Sequence, residues 1–385
     1  MNETELLAIL ARGEDSRHQF KENFNNVDAL AAELVAFANS GGGTLIVGAN
    51  DAGEVVGLTA ADIGRLNQLL SNAASQSVRP PIHPLSRNVQ TARGLLMVIQ
   101  APDGLNRPYT DNQGRIWVKS GADKRHVTAR EEMQRLFQQA GLIYADEVPV
   151  AQTTVADIDH RALEEYFESR YREPLADTDQ SLERLLRNMG LVRDGALTLA
   201  GLLLFAKKPE RFRPAFMIKA VALPGRELHE PYYLDSEDIY DRLAGQYQRS
   251  LGFIKRNLHY IQGDRGINSL GILEIPEIVL QELLVNALIH RDYFISAPVR
   301  VLVFADRVEI GNPGHLPNHL TVEQIRYGLS NMRNPLLASH ATHLLPYRGL
   351  GSGIPRALRA WPNIELVDDR AGNQFKAIIR RPVGD

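Results

Sequence analysis

Leu280-Gln281-Glu282-Leu283-Leu284-Val285-Asn286-Ala287-Leu288-Ile289-His290 is the stretch on which the reading of the fold turns. It lies within a run, residues 276–292, whose Ile278, Val279, Leu280, Leu283, Leu284, Val285, Leu288 and Ile289 are spread around the whole helical circumference. A helix apolar nearly all round is buried on most sides. Glu282 and Asn286 are four residues apart, so both project from one face of it. A carboxylate and an amide on a buried face are costly unless they have partners. A nucleotide site supplies them: the carboxylate can activate a water, and the amide oxygen can hold Mg2+.

Two later segments complete the pattern. Val308-Glu309-Ile310-Gly311-Asn312-Pro313-Gly314 reads as a strand ending in a polar residue and a glycine turn, with Asn312 placed to accept a hydrogen bond from an adenine amino group. Gly349-Leu350-Gly351-Ser352-Gly353 opens a helix, baring backbone N–H groups for close approach of phosphate. A glycine-rich loop is common by itself; in this order and spacing with the other two it becomes specific. The combination resembles the GHKL (Bergerat-fold) ATPase superfamily, which includes histidine kinases and gyrase B subunits. Asn286-Ala287-Leu288-Ile289-His290-Arg291-Asp292-Tyr293, with Arg333-Asn334-Pro335, resembles the divergent branch of prokaryotic regulators. The resemblance implies Glu282 as general base and Asn286 as ligand of an ATP-borne Mg2+. Asn312 and Gly314 would lie at the adenine-reading turn, Gly349, Gly351 and Gly353 along the phosphates, and residues 315–348 in a mobile lid. Asn312 stands where the superfamily carries Asp, and Leu316 where it carries a second glycine. The departure favours ATP binding over hydrolysis, leaving the chain at most a weak ATPase.

A second pattern occupies the other end. Gly13-Glu14-Asp15-Ser16-Arg17-His18-Gln19-Phe20-Lys21, Phe37-Ala38-Asn39-Ser40-Gly41-Gly42-Gly43 and Trp117-Val118-Lys119-Ser120-Gly121-Ala122-Asp123-Lys124-Arg125 together resemble the AlbA-like domain of Schlafen type. The resemblance implies binding of DNA or RNA, with Lys21, Lys119, Lys124 and Arg125 as candidate phosphate contacts. Relatives that cleave RNA use clustered carboxylates and a metal. Glu14 fits the first such position, as a nuclease remnant. Gln19 occupies the second, and a neutral amide binds divalent metal poorly. Proteins of this architecture carry labels of transcriptional regulator or RecG-like ATP-dependent DNA helicase. A helicase motor needs a P-loop, and no Gly-Lys dipeptide occurs in the chain.

The 385 residues suit two or three domains. The expected class is α/β (α+β): an N-terminal mixed domain over 1–145, a helical, winged-helix-like connector over 146–211, and a Bergerat-type α/β sandwich over 212–385. In the first domain, residues 44–48 and 54–57 are expected to form a β-hairpin. The charge is −3, and residues 1–145 hold 14 Lys and Arg against 15 Asp and Glu, so nucleic-acid contact must come from a local patch. There is no cysteine, which excludes disulfides and thiolate metal sites and fits the cytoplasm. No apolar run is long enough for a membrane span. His315, His319, His340 and His343 have spacings a metal could use, but histidines on a polar segment are more often solvated.

The functional expectation is an ATP-binding, nucleic-acid-binding regulator, forming a homo-oligomer, in which the C-terminal domain controls the N-terminal one. The alternatives are an ATP-gated nuclease or anti-phage defence effector, and a non-catalytic oligomeric scaffold.

Overall fold

The computed structural model describes residues 3–262, 271–317 and 320–382. The chain divides into two compact units, residues 1–143 and 144–385.

The first unit runs α1 (Glu3–Arg12), β1 (His18–Lys21), α2 (Val27–Asn39), β2 (Gly43–Val47), α3 (Ala60–Asn72), β3 (Leu85–Thr91), β4 (Gly94–Ala101), β5 (Trp117–Ser120), β6 (Asp123–His126) and α4 (Arg130–Gln139). Its sheet has the order β1-β2-β4-β3, with β1 parallel to β2 and the other pairs antiparallel. The period-two alternation of a strand splits β2 between two cores. Leu45 and Val47 pack with Leu30, Leu34 and Phe37 of α2, while Ile46 packs with Leu6, Ile9 and Leu10 of α1. The expected hairpin to residues 54–57 is reduced to a single bridge, Ala49 to Val55. Both edges of β2 are already taken by β1 and β4, and Gly48, at φ +105°, turns the chain away; its carbonyl accepts from both Val56 and Gly57.

The second unit begins with α5 (His160–Tyr171), α6 (Leu182–Asn188), the two-residue strands β7 (Val192–Arg193) and β8 (Ala196–Leu197), and α7 (Leu199–Phe205). It continues with β9 (Ile218–Ala222), β10 (Asp235–Ile239), α8 (Leu243–Arg256), β11 (Tyr260–Ile261), β12 (Ile272–Leu273), α9 (Glu277–His290), β13 (Val299–Val303) and β14 (Arg307–Pro313). It ends with α10 (Val322–Arg326), α11 (Pro335–Ala341), α12 (Gly353–Ala360), β15 (Ile364–Asp369) and β16 (Gln374–Arg380). The sheet order is β10-β9-β13-β14-β16-β15, antiparallel except for β9 with β13. Buried and less buried residues alternate along its strands, with α8 and α9 packed on the apolar face. This is an α/β architecture with one covered sheet face, as the sequence pattern implies.

The connector region has the order helix, helix, small hairpin, helix. All seven residues of α7 are buried, so that helix is a packing element of the second unit and presents no recognition face.

The segment expected to form a mobile lid is anchored through its second half. Asn334 is buried, and its Nδ2 donates to Ile289 O and Arg291 O, both at 2.8 Å, satisfying carbonyls at the end of α9. Asp146 Oδ2 accepts from Leu337 N at 2.8 Å in the first turn of α11. His340 lies on the buried side of α11. Its Nδ1 is 2.5 Å from the Tyr166 hydroxyl and 3.0 Å from Arg170 Nη1, and its Nε2 is 3.1 Å from Met189 O. Of the described lid histidines, His340 and His343 both adjoin Tyr166. His315 Nδ1 lies 2.5 Å from Leu316 O, His343 is edge-on to Tyr166, and His319 is outside the described residues.

Burial, with Arg170 and His343 nearby, pushes His340 down to about 4. The folded chain therefore binds this proton more weakly than the unfolded one. The associated stability is complete above the unfolded value near 6.5 and is lost as pH falls toward 4. Burial pushes Asp146 up to about 6, which works in the opposite sense over the same range. Comparison with His340→Gln isolates the histidine. Urea titrations between pH 7 and pH 4.5 are expected to show the wild-type advantage shrinking on acidification by about 2–3 kcal/mol. A gap independent of pH overturns this account.

Candidate functional site

Glu282, Asn286, Asn312, Gly314, Gly349, Gly351 and Gly353 line one cavity that opens to solvent. Four features of local folding bring them together. The apolar circumference of α9 buries the helix and turns Glu282 and Asn286 into the cavity. β14 runs as far as Pro313, so Asn312 sits inside the sheet and not after it. Gly314 holds φ +95°, and a Cβ there would meet Asp292 Cβ at 2.5 Å. Gly349 and Gly351 hold φ +68° and +67°, and a Cβ on Gly351 would meet Gly328 O at 2.2 Å, so only glycine permits that approach.

Asn312 is 6% exposed, and its Oδ1 is buried without a hydrogen-bond partner. An unpaired buried acceptor costs about 1–3 kcal/mol, and the residue that carries it is part of the cavity wall. Glu282 is 7% exposed; its Oε1 pairs with Arg356 Nη2 at 2.7 Å. Burial raises its pKa, while Arg356 and Arg348 pull it down. His290, which also lines the cavity, is held neutral by burial at about 4. Helix α12 opens at Gly353 with no side-chain cap on its first N–H groups.

These residues fit a nucleotide. Asn312 offers an acceptor for an exocyclic amino group, and the loop and uncapped helix start offer N–H donors to phosphate. Asn286 provides one oxygen, which suits Mg2+ held mainly by phosphates and water. Among the described residues, no cluster of three His, Asp or Glu side chains could hold a metal unaided. Arg333, known from the sequence only as part of the Arg333-Asn334-Pro335 motif, also lines the cavity, as do Arg348 and Arg356, which went unremarked in the sequence pattern. Arg356 carried a signal: it lies in the first turn of the helix that the glycine loop opens.

The N-terminal candidates form a different kind of site. Glu14 Oε1 accepts from Gln19 Nε2 at 2.7 Å and from Phe20 N at 2.6 Å. Lys119 donates to Gln19 Oε1 and Ala122 O and lies over the Phe37 ring. Burial pushes its ammonium below its usual value, with Glu33 and Glu14 opposing. Lys124 pairs with Glu33 at 2.6 Å; that carboxylate is buried and its Oε2 has no partner. Arg125 grips Glu132 through both terminal nitrogens, at 2.8 and 2.5 Å. Lys21 pairs with Asp51 at 3.3 Å. Glu33 was missed because it falls within the apolar spacing of α2.

Family models match three stretches: "Schlafen, AlbA_2" over residues 14–128, a domain of unknown function over 134–219, and "Putative ATP-dependent DNA helicase recG C-terminal" over 296–374. No curated protein matches the chain. Among solved structures, the DIP2311 protein from Corynebacterium diphtheriae is similar at 23% identity and TM-score 0.47, covering 99% of this chain and 81% of that one. The N-terminal domain of a RecG-related protein from Nitrosomonas europaea is similar at 20% identity and TM-score 0.23, covering 34% of this chain and 96% of that one. The chain thus carries a Schlafen AlbA_2 domain and, toward its C-terminus, an HATPase-type domain of the kind described for recG.

Proposed function

We propose that the protein is an ATP-binding regulator that engages nucleic acid, with the C-terminal domain binding ATP·Mg and the Schlafen-type domain contacting DNA or RNA. The observation that carries the nucleotide reading is one cavity walled together by Glu282, Asn286, Asn312 and the 349–353 loop, with the Asn312 Oδ1 in that wall buried and partnerless. Nucleotide-driven change in an oligomer or in the nucleic-acid grip is the regulatory step of this proposal. The family matches support the pairing of domains; the coupling between them rests on this proposal alone. Glu282 is the candidate general base for any hydrolysis, with Asn286 toward the metal. Binding is the primary role, since Glu282 is engaged by Arg356 and Asn312 is neutral.

The nuclease alternative draws less support. Glu14 is occupied by the Gln19 amide and a backbone N–H, and Gln19 contributes no charge to hold a metal. No helix of the described residues is long and apolar enough to cross a membrane.

Calorimetry with ATP·Mg tests the nucleotide site. Wild type is expected to bind. Asn312→Ala is expected to weaken binding about tenfold, the worth of one buried hydrogen bond. Its thermal midpoint should stay level or rise, because the substitution also removes an unpaired buried acceptor. Undetectable binding by wild type at millimolar ATP sinks the reading.

A second test separates nucleic-acid contacts from internal ion pairs. Lys124→Met removes the cation paired directly with the buried Glu33 carboxylate, leaving only Lys119 nearby, and is expected to cost about 2–4 kcal/mol of stability in the first unit, by hydrogen exchange. Lys21→Met breaks an exposed pair and should cost less than about 0.5 kcal/mol. If both lose affinity for a mixed-sequence RNA or DNA without any change in exchange, Lys124 is a phosphate contact and not a strut.

A further inference from the structure

Three observations around Arg356 go beyond nucleotide binding as such. First, Arg356 projects from the first turn of α12, the helix opened by the glycine loop, so its guanidinium lies at the end of the cavity where bare N–H groups collect. Second, its Nη2 is bonded to Glu282 Oε1 at 2.7 Å, while its Nε is buried without a partner. The guanidinium is therefore only partly satisfied, and its side chain remains about a third exposed toward the cavity (31%). Third, the other carboxylate oxygen of Glu282 lies 2.7 Å from where a Cβ on Gly353 would stand. The carboxylate thus rests on the start of the helix whose N–H groups suit phosphate.

Glu282 is in this sense an internal stand-in for an anion. It takes the arginine that a phosphate chain would take, and it stands beside Gly353 where the helix opens. Arginine binds carboxylate and phosphate through the same planar fork of donors, so the two compete directly. A phosphoryl group carries more charge and more acceptor oxygens than a carboxylate. It therefore displaces the carboxylate where it can reach, and a diphosphate ending short of Arg356 does not.

We infer that Arg356 selects nucleoside triphosphate over diphosphate: it pairs with Glu282 when no terminal phosphate is present and transfers to that phosphate when one arrives. The transfer releases Glu282 from its cation only in the presence of the triphosphate, which confines any base chemistry to the loaded site. This inference rests on the nucleotide reading given above and adds to it a preference and the residue that sets it.

The test is a set of dissociation constants for full-length protein with the Mg2+ complexes of ADP and of a non-hydrolysable ATP analogue. Wild type is expected to prefer the triphosphate. Arg356→Gln should weaken the triphosphate about tenfold or more and the diphosphate less than about twofold, erasing the preference. Glu282→Gln removes the competing anion while keeping its shape, and should tighten the triphosphate several-fold with little change for the diphosphate. Equal loss of both nucleotides in a folded Arg356→Gln, or a triphosphate affinity unmoved by Glu282→Gln, overturns the proposal. Should Arg356→Gln lose its thermal transition, Arg356→Lys decides: the retained cation must keep a measurable triphosphate preference, and its absence overturns the proposal too. Wild type that binds neither nucleotide fails the underlying nucleotide reading instead, a distinguishable result.

Discussion

A helix buried on every side must place its few polar groups where a partner exists, and α9 is such a helix. Nine of its fourteen residues are buried, Glu282 among them. Most of the second unit can be understood as the means of giving this helix partners. The sheet takes its apolar side, through residues such as Val301 and Ile310. Arg356 of α12 takes its carboxylate. Asn334 takes its last carbonyls. The cavity at Glu282 and Asn286 is what remains when these requirements are met on every other side.

The same constraint explains how the segment around Arg333 is held. The Arg333-Asn334-Pro335 motif places an amide against the end of α9 and then starts a helix with proline, which needs no N–H donor there. Asp146, buried and distant in sequence, supplies an acceptor to that helix start. The stretch before Arg333 has anchors of its own: Leu316 N donates to Asp368 Oδ1 at 2.7 Å, and Leu320 and Ile325 are buried. Gly328 belongs to that stretch and approaches the glycine loop at Gly351, so the two segments meet through glycine backbone.

How much of this was legible follows from what each feature depends on. The pairing of Glu282 with Asn286 needed only helical periodicity, and the glycine loop needed only the known latitude of glycine. Asn312 was legible as a residue but not as part of a strand, since its place inside β14 is set by pairing with Phe375 of β16, far along the chain. Strand β10 was not legible: Asp235, Ser236, Glu237 and Asp238 look like a loop, and they hold an edge position because Arg249, Arg256 and Lys219 neutralise them. The basic residues of the first unit have partners that the linear sequence did not show. Lys124 and Arg125 look like phosphate contacts in a linear sequence, yet both carry acidic partners brought close by folding. Charge counts cannot distinguish a free lysine from one that neutralises a buried glutamate.

The charge balance of the cavity sharpens what kind of ligand it suits. Arg333, Arg348 and Arg356 line it against the single carboxylate of Glu282, while His290 is held neutral. Asparagine in place of aspartate at position 312 keeps a second buried negative charge out of this space. A buried carboxylate there would need its own cation or would take up a proton. Arg333 has Asp292 and Asp368 close by, so with the amide it is Arg348 and Arg356 that keep a surplus of positive charge over Glu282 for a ligand bearing several negative charges, and Asn312 keeps its acceptor for a neutral donor. A ligand that joins a neutral hydrogen-bond donor to a polyanionic tail matches both, and a nucleotide is such a molecule.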